Sequence, residues 1–324
     1  MNDFRLFAFN LRRTCNMEKY QYWGFGLNIE SEIEFPELIP QSFDQPDVTI
    51  CLGQVPETNG EITSDTEEVF ITFNEREYVL DIKGVSRYYV TGGNKIIVEP
   101  HPSVDALRSV RVYILASAMA AILFQRGILP LHASAIRIGN ELVLITGNSK
   151  AGKSTSLAGL GKRGYSIFSD DVVVLKEDSD GKITATATYP MIKLWDDAVT
   201  ALDHEDFSDR SFRIRPGMDK YGVFFRDSFN KESFPVFKTI ILQIGDVAKP
   251  VSRILTGIEA FNEISKQVYR RQQMYNAERK EIGFRTISTM LQHCKVYQIT
   301  RPRQNDPRLL IDEIERVLGK DDPA

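Results

Sequence analysis

The sequence is poor in the residues that build disulfide frameworks and metal clusters. Its 324 residues include three cysteines, Cys15, Cys51 and Cys294, which lie far apart and are odd in number. Such a set favours free thiols in a reducing compartment over a disulfide framework or a metal site. The chain has four histidines, and no two of them form a pair near a cysteine. A zinc site is therefore not expected.

The sequence also lacks an excess of positive charge and a long apolar run. Its formal net charge is -4, which gives no electrostatic reason to bind nucleic acid or an anionic membrane. The most apolar run, residues 112–124, is shorter than the roughly 20 residues that cross a membrane, so it predicts a buried core helix. Residues 1–20 show no apolar signal-peptide core. We expect a cytoplasmic protein with neither nucleic acid nor a membrane as its partner.

The first hundred residues are rich in short β-branched and aromatic runs. Turn residues separate these runs, as is typical of strands, and they lie at residues 47–53, 69–74, 78–83, 87–93 and 95–100. A long apolar helix is predicted from Val104 to Arg126, ended by Gly127. The sequence therefore predicts a β-rich N-terminal domain over residues 1–100, and the helix fits either side of the boundary.

Residues 101–324 show a mixed pattern of strands and helices. A helix is predicted directly after the strand that ends near residue 147, and the pattern indicates an α/β domain. Further strands are predicted at residues 131–139, 141–147, 165–175, 182–190, 192–195, 221–225 and 239–245, and helices at 153–162, 196–207, 257–274 and 306–319.

The stretch from Gly147 to Ser154 fits the pattern G-x-x-x-x-G-K-[ST] completely. In this motif, glycines let the backbone turn so that N–H groups face phosphate oxygens, and the helix that follows adds its positive end. Lys153 would reach the β- and γ-phosphates, and the Ser154 hydroxyl would ligate Mg²⁺. A chance match is the alternative, but a strand enters this loop and a helix leaves it. The predicted nucleotide-binding residues are Gly147, Asn148, Ser149, Lys150, Ala151, Gly152, Lys153, Ser154 and Thr155.

The segment FSDDVV places two adjacent carboxylates, Asp170 and Asp171, at the end of the next strand. In phosphoryl transfer one carboxylate can hold Mg²⁺ while another accepts the proton of the attacking hydroxyl. The alternative is a solvated Asp-Asp turn at a strand end. The short separation from the phosphate loop favours the functional interpretation.

The segments LPLHASAI (129–136), LITGNSKAGKST (144–155) and KRGYSIFSDDVVVL (162–175) together resemble the catalytic domain of the HPr kinase/phosphorylase family. The sequence is most similar to divergent members of that family, which include kinases of lasso-peptide precursors. The family fold in turn resembles ATP-dependent phosphoenolpyruvate carboxykinase. The resemblance implies an α/β P-loop kinase core with a smaller β-rich N-terminal domain, and ATP and Mg²⁺ as cofactors.

The resemblance also implies roles for individual residues. Asp170 matches the family's proposed catalytic base, and Asp171 its magnesium-associated acid. His132 matches a histidine near the catalytic acid, although a histidine that only satisfies the core is an equal alternative. The chain departs from HPr-acting enzymes at Ala133 and in the loop around Lys150, where they carry glycines, and their later arginine signature is not recognisable.

Phosphoryl transfer needs a further cation beside Mg²⁺. Candidates lie in the segment FRIRPGMDKY, where we predict catalytic roles for Arg215 and Lys220, with Arg213 beside them. The alternative is that these side chains are merely solvated. The other basic clusters, Arg270 with Arg271 and Arg301 with Arg303, are interpreted as solvated faces or helix ends. Tyr269, Met274 and Tyr275 on the same predicted helix as Arg270 suit core packing better than a groove for an acidic peptide.

The sequence therefore predicts an ATP-dependent kinase that phosphorylates a serine hydroxyl of a peptide or protein, with a lasso-peptide precursor as its most specific version. The alternatives are HPr or a small molecule as acceptor, and a nucleotide-binding regulator without transfer activity. An ABC-type ATPase and a G protein are disfavoured, since neither L-S-G-G-Q nor N-K-x-D occurs. An oligomer is compatible with the sequence.

Overall fold

The computed structural model describes residues 19–65, 68–102, 107–196, 198, 212–214, 217–304 and 306–319. The chain divides into two compact units. Unit 1 extends to Gly127 and includes Ile214, and unit 2 contains the other residues from Ile128 onward. The last strand of unit 1 ends at Pro100, and the long helix that follows belongs to unit 1, so the two units divide at Gly127. The boundary at residue 100 stays a prediction. The division into domains of different function remains a prediction.

Unit 1 contains a nine-stranded sheet. Its strands are β1 (Tyr20–Gly24), β2 (Leu27–Ser31), β3 (Ile39–Pro40), β4 (Val48–Leu52), β5 (Glu61–Asp65), β6 (Val69–Phe73), β7 (Glu77–Ile82), β8 (Ser86–Thr91) and β9 (Lys95–Pro100). Their order is β3-β1-β2-β4-β9-β8-β7-β6-β5. Alternate residues of β2 are buried, as expected for a strand with one face on a core. The strands predicted at 47–53 and 69–100 correspond to β4 and β6–β9.

The apolar helix of unit 1 has an irregular centre. It comprises α1 (Leu107–Tyr113), a π-helical turn (Ile114–Ala118) and α2 (Met119–Gln125). The segment 107–125 is long and apolar enough to cross a membrane by length and composition alone. However, 67% of its most apolar stretch is buried within the protein, which agrees with the predicted core helix. The predicted start at Val104 lies outside the described residues.

An ion pair joins this helix to the connection between β2 and β3. The Arg111 Nε donates to both carboxylate oxygens of Glu37 at 3.0 Å, and both residues are buried. Close by, the hydroxyl of the fully buried Tyr88 donates to the backbone oxygen of Val110 at 3.0 Å. These contacts fix the helix against the sheet.

Unit 2 contains a mixed sheet with a parallel centre. Its strands are β10 (Leu129–Leu131), β11 (Ala133–Ile138), β12 (Glu141–Gly147), β13 (Ser166–Ser169), β14 (Val173–Glu177), β15 (Ile183–Ala187), β18 (Ser233–Ile244), β19 (Val251–Leu255) and β20 (Lys295–Arg301). Strands β12, β18 and β20 are parallel neighbours, and β11 runs antiparallel to both β12 and β13. A separate antiparallel ribbon pairs β16 (Met191–Trp195) with β17 (Lys220–Phe224).

In the part of unit 2 that the structure describes, the helices beside this sheet are α3 (Lys153–Lys162), α4 (Gly257–Ser265), α5 (Ala277–Leu291) and α6 (Pro307–Leu318). Short 3₁₀ turns occupy Arg226–Ser228 and Arg271–Gln273. Apolar side chains of α3 and α6 pack on the parallel strands, among them Leu157, Leu160, Ile311 and Ile314. The apolar stripes predicted for these two helices therefore face the core.

The helices of unit 2 differ in part from the sequence-based expectation. The helix predicted over 257–274 ends at Ser265, and the backbone of Arg270 is left-handed, with φ at 51°. Tyr269, Met274 and Tyr275 therefore do not share a helix with Arg270. Helix α5 was not among the predicted elements. It is capped by Asn276, whose side chain accepts from the Arg279 N–H. The helix predicted over 196–207 lies almost entirely outside the described residues.

Candidate active site

The candidate site lies at one edge of the sheet of unit 2. Strands β12, β18 and β20 all end at this edge, since Gly147 pairs with Leu242 and Arg301 with Ile244. Strand β13 runs in the direction of β12 and also ends here, whereas β11 begins here. In open α/β sheets, ligands bind beyond the carboxyl ends of parallel strands.

The loop from Gly147 to Gly152 joins β12 to α3 at this edge. Lys150 has a left-handed backbone with φ at 65°, and Gly152, which precedes the helix, has φ at 113°. The Lys153 side chain folds back over the loop, and its Nζ donates to the Gly147 and Asn148 carbonyls at 2.7 and 3.2 Å. Burial lowers the pKa of Lys153, although Asp170 and Asp171 oppose this shift. The buried Lys153 ammonium group is thus held over the loop by two loop carbonyls.

Asp170 is fully buried and accepts from three donors. Its Oδ1 receives the Ser134 hydroxyl at 2.6 Å and the Ser154 hydroxyl at 3.0 Å. Its Oδ2 receives the backbone N–H of Lys193 at 2.9 Å. The predicted magnesium ligand Ser154 and the predicted base Asp170 are therefore in direct contact. This carboxylate lies within reach of the phosphate-loop motif, as the transferase interpretation requires.

Asp171 interrupts the segment 165–175, which the sequence predicts as a single strand. The structure has two strands, β13 and β14, with Asp171 in the left-handed region at φ 70° between them. Successive side chains of a strand point to opposite faces. Because the chain turns here, the two neighbouring carboxylates instead both contact Lys193.

Asp171 is surrounded by basic side chains. Its Oδ2 receives the Lys193 Nζ at 2.7 Å, and its Oδ1 lies 3.6 Å from His132 Nδ1. Burial acts to raise the pKa of Asp171, but Lys193, His132 and Lys220 together hold that pKa well below its usual value. Burial likewise acts to lower the pKa of Lys193, which Asp171 raises well above its usual value. Both partners are therefore charged.

His132 is tied into the same edge. Its Nδ1 lies 2.6 Å from the Asp171 carbonyl oxygen, and since a carbonyl can only accept, Nδ1 carries the proton. Its backbone N–H donates to the Gln267 carbonyl at 2.8 Å, and its ring lies 5.7 Å from that of Tyr269. Burial lowers the pKa of His132, opposed by Asp171, so the neutral imidazole is favoured near pH 7. This histidine contacts the acid pair through Asp171 rather than Asp170.

Sequence reasoning missed two basic residues of the site. Lys193 lies in β16, where it looked like an ordinary strand residue. Arg301 ends β20 and holds the phosphate-loop motif from outside, since its Nε donates to the Ala151 carbonyl and its Nη2 to the Lys150 carbonyl, both at 2.8 Å. The sequence predicts a solvated face or helix end for Arg301, whereas its guanidinium contacts the motif. A lysine between two apolar residues of a strand was the one available signal for Lys193.

The remaining predicted residues are placed as follows. Lys220 begins β17, with its Nζ 5.6 Å from the ring centre of Trp195, and it acts electrostatically on Asp171. Arg213 donates to the Tyr221 hydroxyl at 3.0 Å. Arg215 lies outside the described residues. Of the predicted loop and helix residues, Asn148, Ser149 and Lys150 are exposed, Thr155 is half-buried and Ala151 is buried.

The donor chemistry of the site fits Mg²⁺. Mg²⁺ prefers oxygen ligands and takes few of them from protein when it binds with a nucleotide, since phosphates and waters supply the others. The Ser154 hydroxyl and the Asp170 and Asp171 carboxylates offer such oxygens. Among the described residues, no group of three or more histidine, cysteine or acidic side chains is arranged to hold a metal.

Comparison with known proteins gives limited information. No protein-family model matches the chain. The sequence also matches none of the curated proteins. Among solved structures, the HPr(Ser) kinase/phosphatase from Coxiella burnetii aligns with 58% of this chain and 95% of its own, at 16% identity and a TM-score of 0.30. This is a distant structural relationship, so the functional assignment has to come from the geometry of the site.

Proposed function

We propose that this protein is an ATP-dependent phosphotransferase that moves the γ-phosphate of ATP to a serine hydroxyl of a peptide or protein. The observation that carries the proposal is the contact between Ser154 and Asp170 at 3.0 Å. It joins the predicted phosphate loop to a buried carboxylate that follows it 16 residues later in the chain. A chance motif match would not require this contact.

The loop and its lysine supply the nucleotide end of the reaction. Lys153 is held by two loop carbonyls, and we propose that it turns from them to the β- and γ-phosphates when ATP binds. Arg301 restrains the loop by donating to the Ala151 and Lys150 carbonyls. These hydrogen bonds occupy carbonyl groups and none of the N–H groups that would face phosphate oxygens.

The acid pair supplies the acceptor end. The sequence resemblance assigns the proton acceptor to Asp170 and the metal to Asp171, and we keep this division as the first hypothesis. The contact of Asp170 with Ser154 favours the opposite division, because Ser154 is the predicted metal ligand. Either way, one carboxylate accepts the hydroxyl proton as the oxygen attacks the γ-phosphorus and ADP leaves.

The test uses γ-labelled ATP with serine-containing peptides and proteins, including a lasso-type precursor peptide and HPr. We expect label on one of these acceptors, a loss of roughly 10³-fold or more in D170N, and ATP binding that D170N retains. A Mg²⁺ titration of D170N and D171N assigns the metal, because only the variant that lost the metal ligand needs more Mg²⁺. An acidic residue of the same unit on the exposed end of β14, Glu177, provides the control E177Q.

The regulator alternative makes a different prediction. Such a protein binds ATP through the same loop but transfers no label to any acceptor, and D170N then behaves as wild type. If label is transferred to a small hydroxyl compound and to none of the peptides or proteins, the protein is still a phosphotransferase. Its acceptor is then a small molecule and not a peptide or protein.

A further inference from the structure

Lys193 contacts both members of the acid pair through different atoms. Its backbone N–H donates to Asp170 Oδ2 at 2.9 Å, and its side-chain Nζ donates to Asp171 Oδ2 at 2.7 Å. A single residue therefore links two adjacent carboxylates that a regular strand would separate onto opposite faces. Neither the motif nor the family resemblance assigns this residue a role.

The backbone at Asp171 needs such a restraint. A non-glycine residue in the left-handed region costs free energy, and it persists only where its surroundings fix it. At Asp171 the carbonyl oxygen is bound by His132 Nδ1 and the carboxylate by Lys193 Nζ. Asp171 is thus held at its backbone by a histidine and at its side chain by a lysine.

Lys193 is itself placed by the β16–β17 ribbon and by burial. In this ribbon Lys193 pairs with Gly222, and its Nζ lies 5.5 Å from the ring centre of Tyr189. Only 14% of its side chain is exposed. Burying a lysine to this extent without a charged partner costs folding free energy, so the ion pair with Asp171 keeps the Lys193 ammonium in place.

Resting on the phosphotransferase function proposed above, we propose that Lys193 is a positioning residue that sets the acid pair for transfer. Its ammonium holds Asp171 and its N–H holds Asp170, so both carboxylates have their working positions before ATP binds. The ammonium also offsets their negative charge, which would otherwise oppose the approach of a polyanionic nucleotide.

The experiment replaces the side chain and leaves the backbone N–H in place. K193M removes the ammonium, and K193R keeps a positive charge. The matched control is K238M, because Lys238 is also buried in unit 2 but its Nζ donates to the Val317 carbonyl. Both methionine variants thus lose a buried ammonium, and only one of them loses contact with Asp171.

Two quantities are measured on the full chain. The first is the ¹H–¹⁵N spectrum of the histidine rings, which reports whether His132 Nδ1–H still donates to the Asp171 carbonyl. The chain has only four histidines, and H132Q assigns the signal. The second is kcat for transfer, together with the KM for ATP. A role that only stabilised the fold would change neither the His132 signal nor the ratio of kcat to KM in molecules that remain folded.

We expect K193M to shift or lose the His132 Nδ1–H signal and to lower kcat by roughly 10- to 100-fold, with a smaller change in the KM for ATP. K193R should retain more of both, and K238M should match wild type. A wild-type His132 signal together with wild-type kcat in folded K193M overturns the proposal.

Two outcomes separate this proposal from the function on which it rests. If wild type transfers no phosphate to any acceptor, the proposed function fails, while the His132 signal of K193M still decides whether Lys193 positions Asp171. If K193M does not fold, K193Q is measured in its place, because glutamine is neutral and too short to reach Asp171. An unchanged His132 signal in K193Q then counts equally against the proposal.

Discussion

Among the described residues, both units contain an ion pair whose two side chains are mostly buried, and the pairs Glu37–Arg111 and Asp171–Lys193 differ in their surroundings. In unit 1, Glu37 and Arg111 connect a loop to a helix, with side chains that are 4% and 11% exposed. In unit 2, Asp171 and Lys193 are 19% and 14% exposed and lie where several strands end. If burial alone indicated a functional role, the ion pair of unit 1 would be the stronger candidate.

The backbone distinguishes the two pairs. Among the described residues, the non-glycine residues with positive φ are Phe25, Lys150, Asp171 and Arg270. Lys150 and Asp171 belong to the candidate site, and neither member of the Glu37–Arg111 pair is in the set. Strained backbone that several contacts hold in place is typical of functional sites. The comparison indicates that a buried ion pair points to function when strain and convergent donors accompany it.

The strongest test of this comparison is the removal of Arg111. R111M leaves Glu37 buried without its partner, which typically costs about 3–5 kcal/mol of folding free energy. We expect this loss in urea unfolding, with ATP affinity and transfer per folded molecule unchanged. A fall in transfer without a fall in stability would mean that the pair of unit 1 also serves the reaction.

A smaller effect is expected in the pH dependence of stability. The pKa of Asp171 is lower in the folded protein than in the unfolded chain, where an aspartate titrates near 3.9. Its stabilising contribution is therefore complete above that value and is lost as the pH falls below it. The stability advantage of wild type over D171N should shrink by about 1 kcal/mol between pH 7 and pH 3.

Urea unfolding of both proteins at several pH values measures this difference. E177Q serves as control, since Glu177 is an exposed residue of the same unit. A difference between wild type and D171N that stays constant with pH would show that Asp171 is not held as an ionised partner of Lys193.

The smallest effect concerns Arg301. R301Q removes the guanidinium that binds the Lys150 and Ala151 carbonyls, and it leaves the residues facing the phosphates intact. Because these hydrogen bonds are partly exposed, we expect the Kd for ATP to rise by roughly threefold. Titration with a fluorescent ATP analogue measures this change. R303Q is the neighbouring control, and an equal effect of both variants would indicate a general loss of positive charge.

The parts of the site that sequence reasoning reached are local in the chain. The strand before the phosphate-loop motif, the helix after it, and the carboxylates Asp170 and Asp171 lie within about thirty consecutive residues. Within such a span, hydrophobic periodicity and turn residues indicate which side chains meet. The β-branched runs of unit 1 were predictable for the same reason.

The parts that sequence reasoning missed depend on contacts between distant segments. Lys193 reaches Asp171 only through the register of β16 with β17, and Arg301 reaches the motif from the far end of β20. Neither pairing has a signal in the local pattern. The interruption between β13 and β14 at Asp171 was not predicted, because the apolar residues on both sides continue the strand pattern. An aspartate can also adopt the left-handed region without a neighbouring glycine that would indicate a turn.

Gly147 is required by the sheet itself. A Cβ atom at this position would lie 2.3 Å from the Leu242 carbonyl oxygen on the adjacent strand, and its φ of 138° is strained for any other residue. Any side chain here would push β12 and β18 apart, whether or not a nucleotide ever binds. The close approach of β12 and β18 is thus sufficient to explain the glycine at the first position of the motif. No comparable steric crowding requires Lys153. In a search of genomes for phosphate-binding chains, the lysine is therefore the more informative position of the motif.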